Sequence, residues 1–219
     1  MDRPERLPAS PLARPTLRGV IHHYAFFVSL IAGVVLALRA GTRTAFVGVA
    51  IYAFSLSALL GVSALYHRIT WTPEVRRWMG RLDHSMINVL IAGTYTPFGL
   101  LAVSGAFAST LLTIIWSGAA ANIVMHLVWL DAPKWLSAAL YVALGWVGVA
   151  AMPTMVGTSG WTPTLLLLGG GIFYSLGALV YARRRPDPVP TVFGYHEVFH
   201  ALVVLGAGLH WAAVALIVA

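Results

Sequence analysis

The chain has 219 residues, of which 59% are hydrophobic and only 10% charged, with a net charge of +7 and no cysteine. A soluble domain carries about 25% charged residues, so this composition excludes an ordinary water-soluble fold and requires lipid as part of the solvent. The missing cysteines exclude disulfides and thiolate metal sites. The arginines behind the basic balance fall between apolar segments, as in membrane proteins, which argues against a nucleic-acid partner.

Residues 1–20 contain Pro8, Pro11 and Pro15 together with Arg3, Arg6, Arg14 and Arg18, and lack the apolar core of a signal peptide. They read as a disordered cytoplasmic tail. Residues 21–219 read as one membrane domain. A crossing helix needs about 20 mostly apolar residues, and seven such segments stand at about 21–38, 46–66, 83–103, 106–129, 135–155, 162–182 and 196–218. The separators are short: Gly41 and Arg43, then Thr72-Pro73-Glu74, Ser104-Gly105, Asp131-Ala132-Pro133-Lys134, Gly157 to Pro163, and the run from Arg183 to Pro188. The expected fold class is therefore all-α, a seven-transmembrane helix bundle.

Orientation follows from the basic residues of the short loops. Of the 14 Lys and Arg residues, all but Arg39 and Arg43 fall on the side of the N-terminal tail. The N-terminus is thus expected in the cytoplasm and the C-terminus outside, as in a multi-pass protein of the bacterial inner (plasma) membrane. Within the third segment, Pro97 cannot donate to the carbonyl of Gly93, so a kink is expected there, with Thr94 and Thr96 available to the freed backbone groups.

This topology brings scattered polar residues to one depth. Ser63 and His67 end the second segment, Asp83 and His84 begin the third, and His196, Glu197 and His200 begin the seventh. Ionisable residues inside a membrane are costly and face the bundle interior or water, and a shared cation would explain their coincidence. His196 and His200 are four apart, so they project from one helix face about 6 Å apart. With His67 they make three nitrogen ligands for zinc, which leaves a fourth position for water, the catalytic pattern. Asp83 is the candidate base for that water. Ser63, one turn before His67, is a candidate donor to the water or to a developing oxyanion.

Each residue also has a plainer role. Ser63 can bond a carbonyl of its own helix, Asp83 can cap a helix beside Arg81, and His67 can be interfacial. His22, His23, His126 and His210 read as interfacial or packing residues, with His84 and His210 possible outer partners of the site. His-Glu-Val-Phe-His, residues 196–200, matches the H-E-x-x-H of zinc proteases. However, Val203 and Gly206 stand where the extended motif needs Gly and His, and nothing acidic follows Glu197. The pattern is read as H-x-x-x-H, with Glu197 favoured by the dipole at the helix N-terminus.

Four motifs then carry a resemblance: Ser63-Ala-Leu-Tyr-His67, Arg81-Leu-Asp83-His84-Ser85, Ala92-Gly-Thr-Tyr-Thr-Pro97 and His196-Glu-Val-Phe-His200. In this order the chain, from about residue 16 to its end, resembles the hemolysin III proteins, the bacterial branch of the progestin and adipoQ receptor family. The resemblance implies seven crossings, a cytoplasmic N-terminus and one zinc held by His67, His196 and His200 near the cytoplasmic leaflet, with Asp83 holding water and Ser63 close by. Alkaline ceramidases, more distant relatives, suggest by analogy a lipid amidase reaction. Three functions stay open: a zinc-dependent hydrolase of a lipid amide or ester, a non-enzymatic receptor-like sensor with a structural zinc, and an oligomeric pore-forming cytolysin. A membrane lipid is the expected substrate or ligand.

Overall fold

The computed structural model describes residues 14–129 and 133–218. Among these the chain is all-helical, with one isolated antiparallel bridge between Val189 and Phe193 and no strand. The helices are α1 (Val20–Arg39), α2 (Arg43–Arg68), α3 (Pro73–Leu101), α4 (Gly105–Val128), α5 (Lys134–Trp146), α6 (Met152–Ser159), α7 (Trp161–Arg183) and α8 (Tyr195–Val218), with a 3-10 turn Val147–Ala151 between α5 and α6. Six helical runs are long and apolar enough to cross a membrane: α1, α2, α4, Trp135–Ser159, α7 and α8.

Helix 3 begins ten residues before the apolar stretch that announces it. Thr72-Pro73-Glu74 is a start signal as well as a separator. The Thr72 hydroxyl accepts the Val75 N–H at 3.4 Å, Pro73 occupies the first turn, and Glu74 lies at the positive end of the helix dipole. The helix continues through Pro97 to Leu101. The Thr96 hydroxyl donates to the Ala92 carbonyl at 2.9 Å and accepts the Trp116 indole N–H at 3.3 Å. α2 packs closely on this stretch, since a Cβ added at Gly48 would stand 3.1 Å from Pro97 Cα.

The fifth segment is broken rather than continuous. The Tyr95 hydroxyl donates to the Gly145 carbonyl at 2.5 Å and accepts the Gly148 N–H at 2.6 Å. It thereby enters the hydrogen-bond ladder, and Pro153 lacks the N–H that would serve Val149. The backbone tightens to 3-10 geometry between them.

The bundle is apolar outside and polar inside. Leu38 is 82% exposed and Val128 77%, while Asn88 is fully buried and Glu197 is 1% exposed. In water this arrangement would be inverted. α8 packs mainly on α7 and also touches α1, α2 and α3, so its first turn meets several other helices. Tyr52, Val49, Leu36, Phe98 and Val214 form part of a single apolar core around it. Residues 14–19 of the expected tail run back along the α7–α8 connection: the N–H groups of Thr16 and Leu17 donate to the carbonyls of Thr191 and Val192 at 3.0 and 3.1 Å. Residues 1–13 of that tail, and Asp131 and Ala132 of the fourth separator, lie outside the described residues.

Candidate metal centre

Three imidazoles meet where α2 ends and α8 begins. His67 sits in the last turn of α2, and His196 and His200 occupy one face of the first turns of α8. One ligand atom from each lies within 4.8 Å of the others. His67 Nε2 and His196 Nε2 are 3.1 Å apart. His67 is 8% exposed and His200 2%.

The donor set fits a bound cation. Two ligands on tetrahedral zinc, each at about 2.0–2.1 Å, stand about 3.3–3.4 Å from one another, close to the separation of the two Nε2 atoms. Two bare imidazole lone pairs at that distance repel unless a proton or cation lies between them. Three neutral imidazoles without a thiolate suit zinc and the neighbouring first-row metals.

The other two predicted site residues are also here. Asp83, in the third turn of α3, brings Oδ2 to 3.7 Å from His67 Nε2, and Ser63, one turn before His67, interacts through its hydroxyl with the Asp83 carboxyl. Both border a cavity of about 340 Å³, along with the three histidines. Its lining is otherwise largely apolar, including Leu90, Ile91, Phe98, Leu167 and Val203, and His210 also lines it with Nε2 3.0 Å from the Leu167 carbonyl. His84 lines the cavity beside Asp83. Its Nδ1 is 3.5 Å from the Tyr141 hydroxyl, which is 2.7 Å from His126 Nε2.

Glu197 faces elsewhere. Its Oε2 accepts the Gly194 N–H at 2.8 Å, and its Oε1 pairs with Arg18 Nε. The first bond is the N-terminal role expected from its position; the arginine partner was not visible in the sequence. The carboxylate that a zinc protease would aim at its water is thus committed to the helix start and an ion pair.

His22, read from the sequence as an interfacial or packing residue, packs against the histidine cluster. It is 2% exposed, its Nδ1 is 2.9 Å from Ser63 Oγ, and its ring stacks on His200. A signal did exist: His22 opens the first segment at the same depth as His67, Asp83 and His196. His23 next to it is exposed and meets Tyr24 and Phe27 edge-on, as an interfacial residue does.

Fold and site together define a multi-pass, all-helical integral membrane protein with a buried three-histidine cluster able to hold a metal ion. Helical bundles belong to the plasma (inner) membrane, whereas the bacterial outer membrane takes closed barrels. Residues 11–211 match the Haemolysin-III related family, and the chain belongs to it. It is 32% identical over 193 residues to Hemolysin-3 of Bacillus cereus, covering 87% of this chain and 85% of that protein. It is 34% identical over 180 residues to the Hemolysin-3 homolog of Bacillus subtilis, covering 82% and 81%. The human Monocyte to macrophage differentiation factor is 26% identical over 168 residues, covering 75% and 67%. That relative lies outside the bacteria and supports the wider progestin and adipoQ receptor superfamily.

Proposed function

We propose that the protein is a zinc-dependent hydrolase of a membrane lipid amide or ester. In this reading it crosses the bilayer seven times with a cytoplasmic N-terminus, α3 being the crossing whose charged first turns emerge from the membrane. The observation that carries the reading is a three-histidine cluster with a carboxylate and a hydroxyl beside it, all bordering one largely apolar cavity.

His67, His196 and His200 would hold the metal, which would supply a Lewis acid and lower the pKa of a water towards about 7. Asp83 takes the proton from the attacking water and passes it to the leaving nitrogen or oxygen, so that one bond to the carbonyl carbon forms as another breaks. Ser63 serves the Asp83 carboxylate in the resting site. Once Asp83 has accepted its proton, the same hydroxyl is free to donate to the carbonyl oxygen as charge develops there. Burial of these groups strengthens each interaction relative to water. The apolar cavity walls suit an acyl chain entering from the bilayer.

Purified protein incubated with mixed membrane lipids should release a fatty acid, detected by mass spectrometry, and a chelator should stop the release. Lipid profiles identical with and without the protein would exclude the hydrolase and leave the receptor-like and pore-forming readings.

A further inference from the structure

The start of α1 is built onto the candidate metal centre by three separate contacts. Arg18 Nε reaches the buried Glu197 in the first turn of α8. Gly19 has φ +76° and lies so close to α2 that an added Cβ would stand 2.6 Å from His67 Cβ. His22 Nδ1 is 2.9 Å from Ser63 Oγ, and the His22 ring lies 3.8 Å from that of His200, 10° from parallel. A helix packed only to fill space would place an apolar side chain against His200; this one places a second imidazole there, fully enclosed.

The hydrogen bonds have a direction. With Asp83 as the base its carboxylate only accepts, so the neighbouring Ser63 hydroxyl turns its proton there. Ser63 Oγ is then the acceptor towards His22, and the proton between them belongs to His22 Nδ1. This leaves a lone pair on His22 Nε2, which is buried and has no hydrogen-bond partner. A neutral imidazole with its proton on Nδ1 is the state that satisfies the Ser63 hydroxyl.

We infer that His22 is a positioning residue of the site: its Nδ1–H orders the Ser63 hydroxyl towards Asp83, and its ring face braces His200. The inference rests on the proposed function above, which makes His200 a metal ligand and Asp83 the base whose carboxylate the Ser63 hydroxyl serves. In this role His22 acts through the residues it holds.

Two measurements decide it. Histidine ¹⁵N NMR on the full-length protein in detergent micelles, with and without zinc, reports which nitrogen carries the proton. The His22 signal is assigned by its loss in His22→Gln. We expect a proton-bearing Nδ1 and a bare Nε2, and Ser63→Ala should release this preference. A proton on Nε2, or a tautomer indifferent to Ser63→Ala, overturns the hydrogen-bond direction. Zinc affinity by chelator competition tests the brace. His22→Ala should weaken zinc about tenfold or more, and His22→Phe, which keeps a flat ring against His200, should recover it to within about threefold. An alanine variant as tight as the parent, or a phenylalanine variant as weak as alanine, overturns the brace. A parent that binds no zinc would instead sink the metal reading, with the metal-free tautomer still deciding the hydrogen-bond direction.

Discussion

Glu197 lies between the metal-ligand candidates His196 and His200 in sequence, yet its carboxylate pairs with Arg18 and the Gly194 N–H. Adjacent residues on a helix point about 100° apart, so a motif that looks continuous in the sequence divides between two jobs. The imidazoles face the cavity, and the acid fastens the N-terminal segment to the start of α8.

That division makes Glu197→Gln informative. The variant loses a buried ion pair but keeps an acceptor for Gly194. It should unfold at lower temperature, by about 1–3 kcal/mol, while keeping its zinc and its lipid turnover. Arg18→Met should be worse, because it leaves Glu197 charged and uncompensated, at a cost of about 3 kcal/mol or more. Thermal melts in detergent compare the two. Loss of turnover in folded, zinc-loaded Glu197→Gln would return the residue to a catalytic role.

Purified protein should carry about one zinc per chain, since three imidazoles make a single ligand set. His196→Ala or His200→Ala should lose it, read by elemental analysis after dialysis. Full occupancy in both variants would end the assignment.

Asp83→Asn separates metal binding from chemistry. The amide keeps the shape of the carboxyl and removes its capacity to accept a proton. Zinc content should stay near that of the parent, and lipid hydrolysis should fall by about 10²–10⁴-fold. Unchanged turnover would exclude Asp83 as the base.

Gly19→Ala tests how closely α1 is seated on His67. A Cβ at φ +76° costs about 1–2 kcal/mol, and it also meets the His67 side chain. Zinc affinity should fall together with stability. Gly41→Ala, where a Cβ meets nothing within 4 Å, is the control and should leave zinc affinity unchanged.

A reporter fused after Ala219 should be active only outside the cytoplasm, because the basic loops hold the opposite ends of the helices inside. Activity of a cytoplasmic reporter at that position would reverse the topology and move the site to the other leaflet.

Much of this was readable in the sequence. Runs of about 20 apolar residues mark membrane helices because an unpaired backbone group in lipid is costly, and that rule acts locally. The spacing of His196 and His200 places them on one helix face by the same local geometry. Other features lay beyond that range. The break after Trp146 depends on the Tyr95 hydroxyl arriving from α3. The placing of His22 against Ser63 and His200 depends on α1 packing beside both α2 and α8. Periodicity reports which face of a helix is apolar. It does not report which helix lies opposite a polar residue, since that is set by packing between segments far apart in the chain. The sequence alone therefore determined the helical membrane architecture and the shared face of His196 and His200 on α8, and only the tertiary structure decided which groups stand behind these histidines and where Glu197 turns.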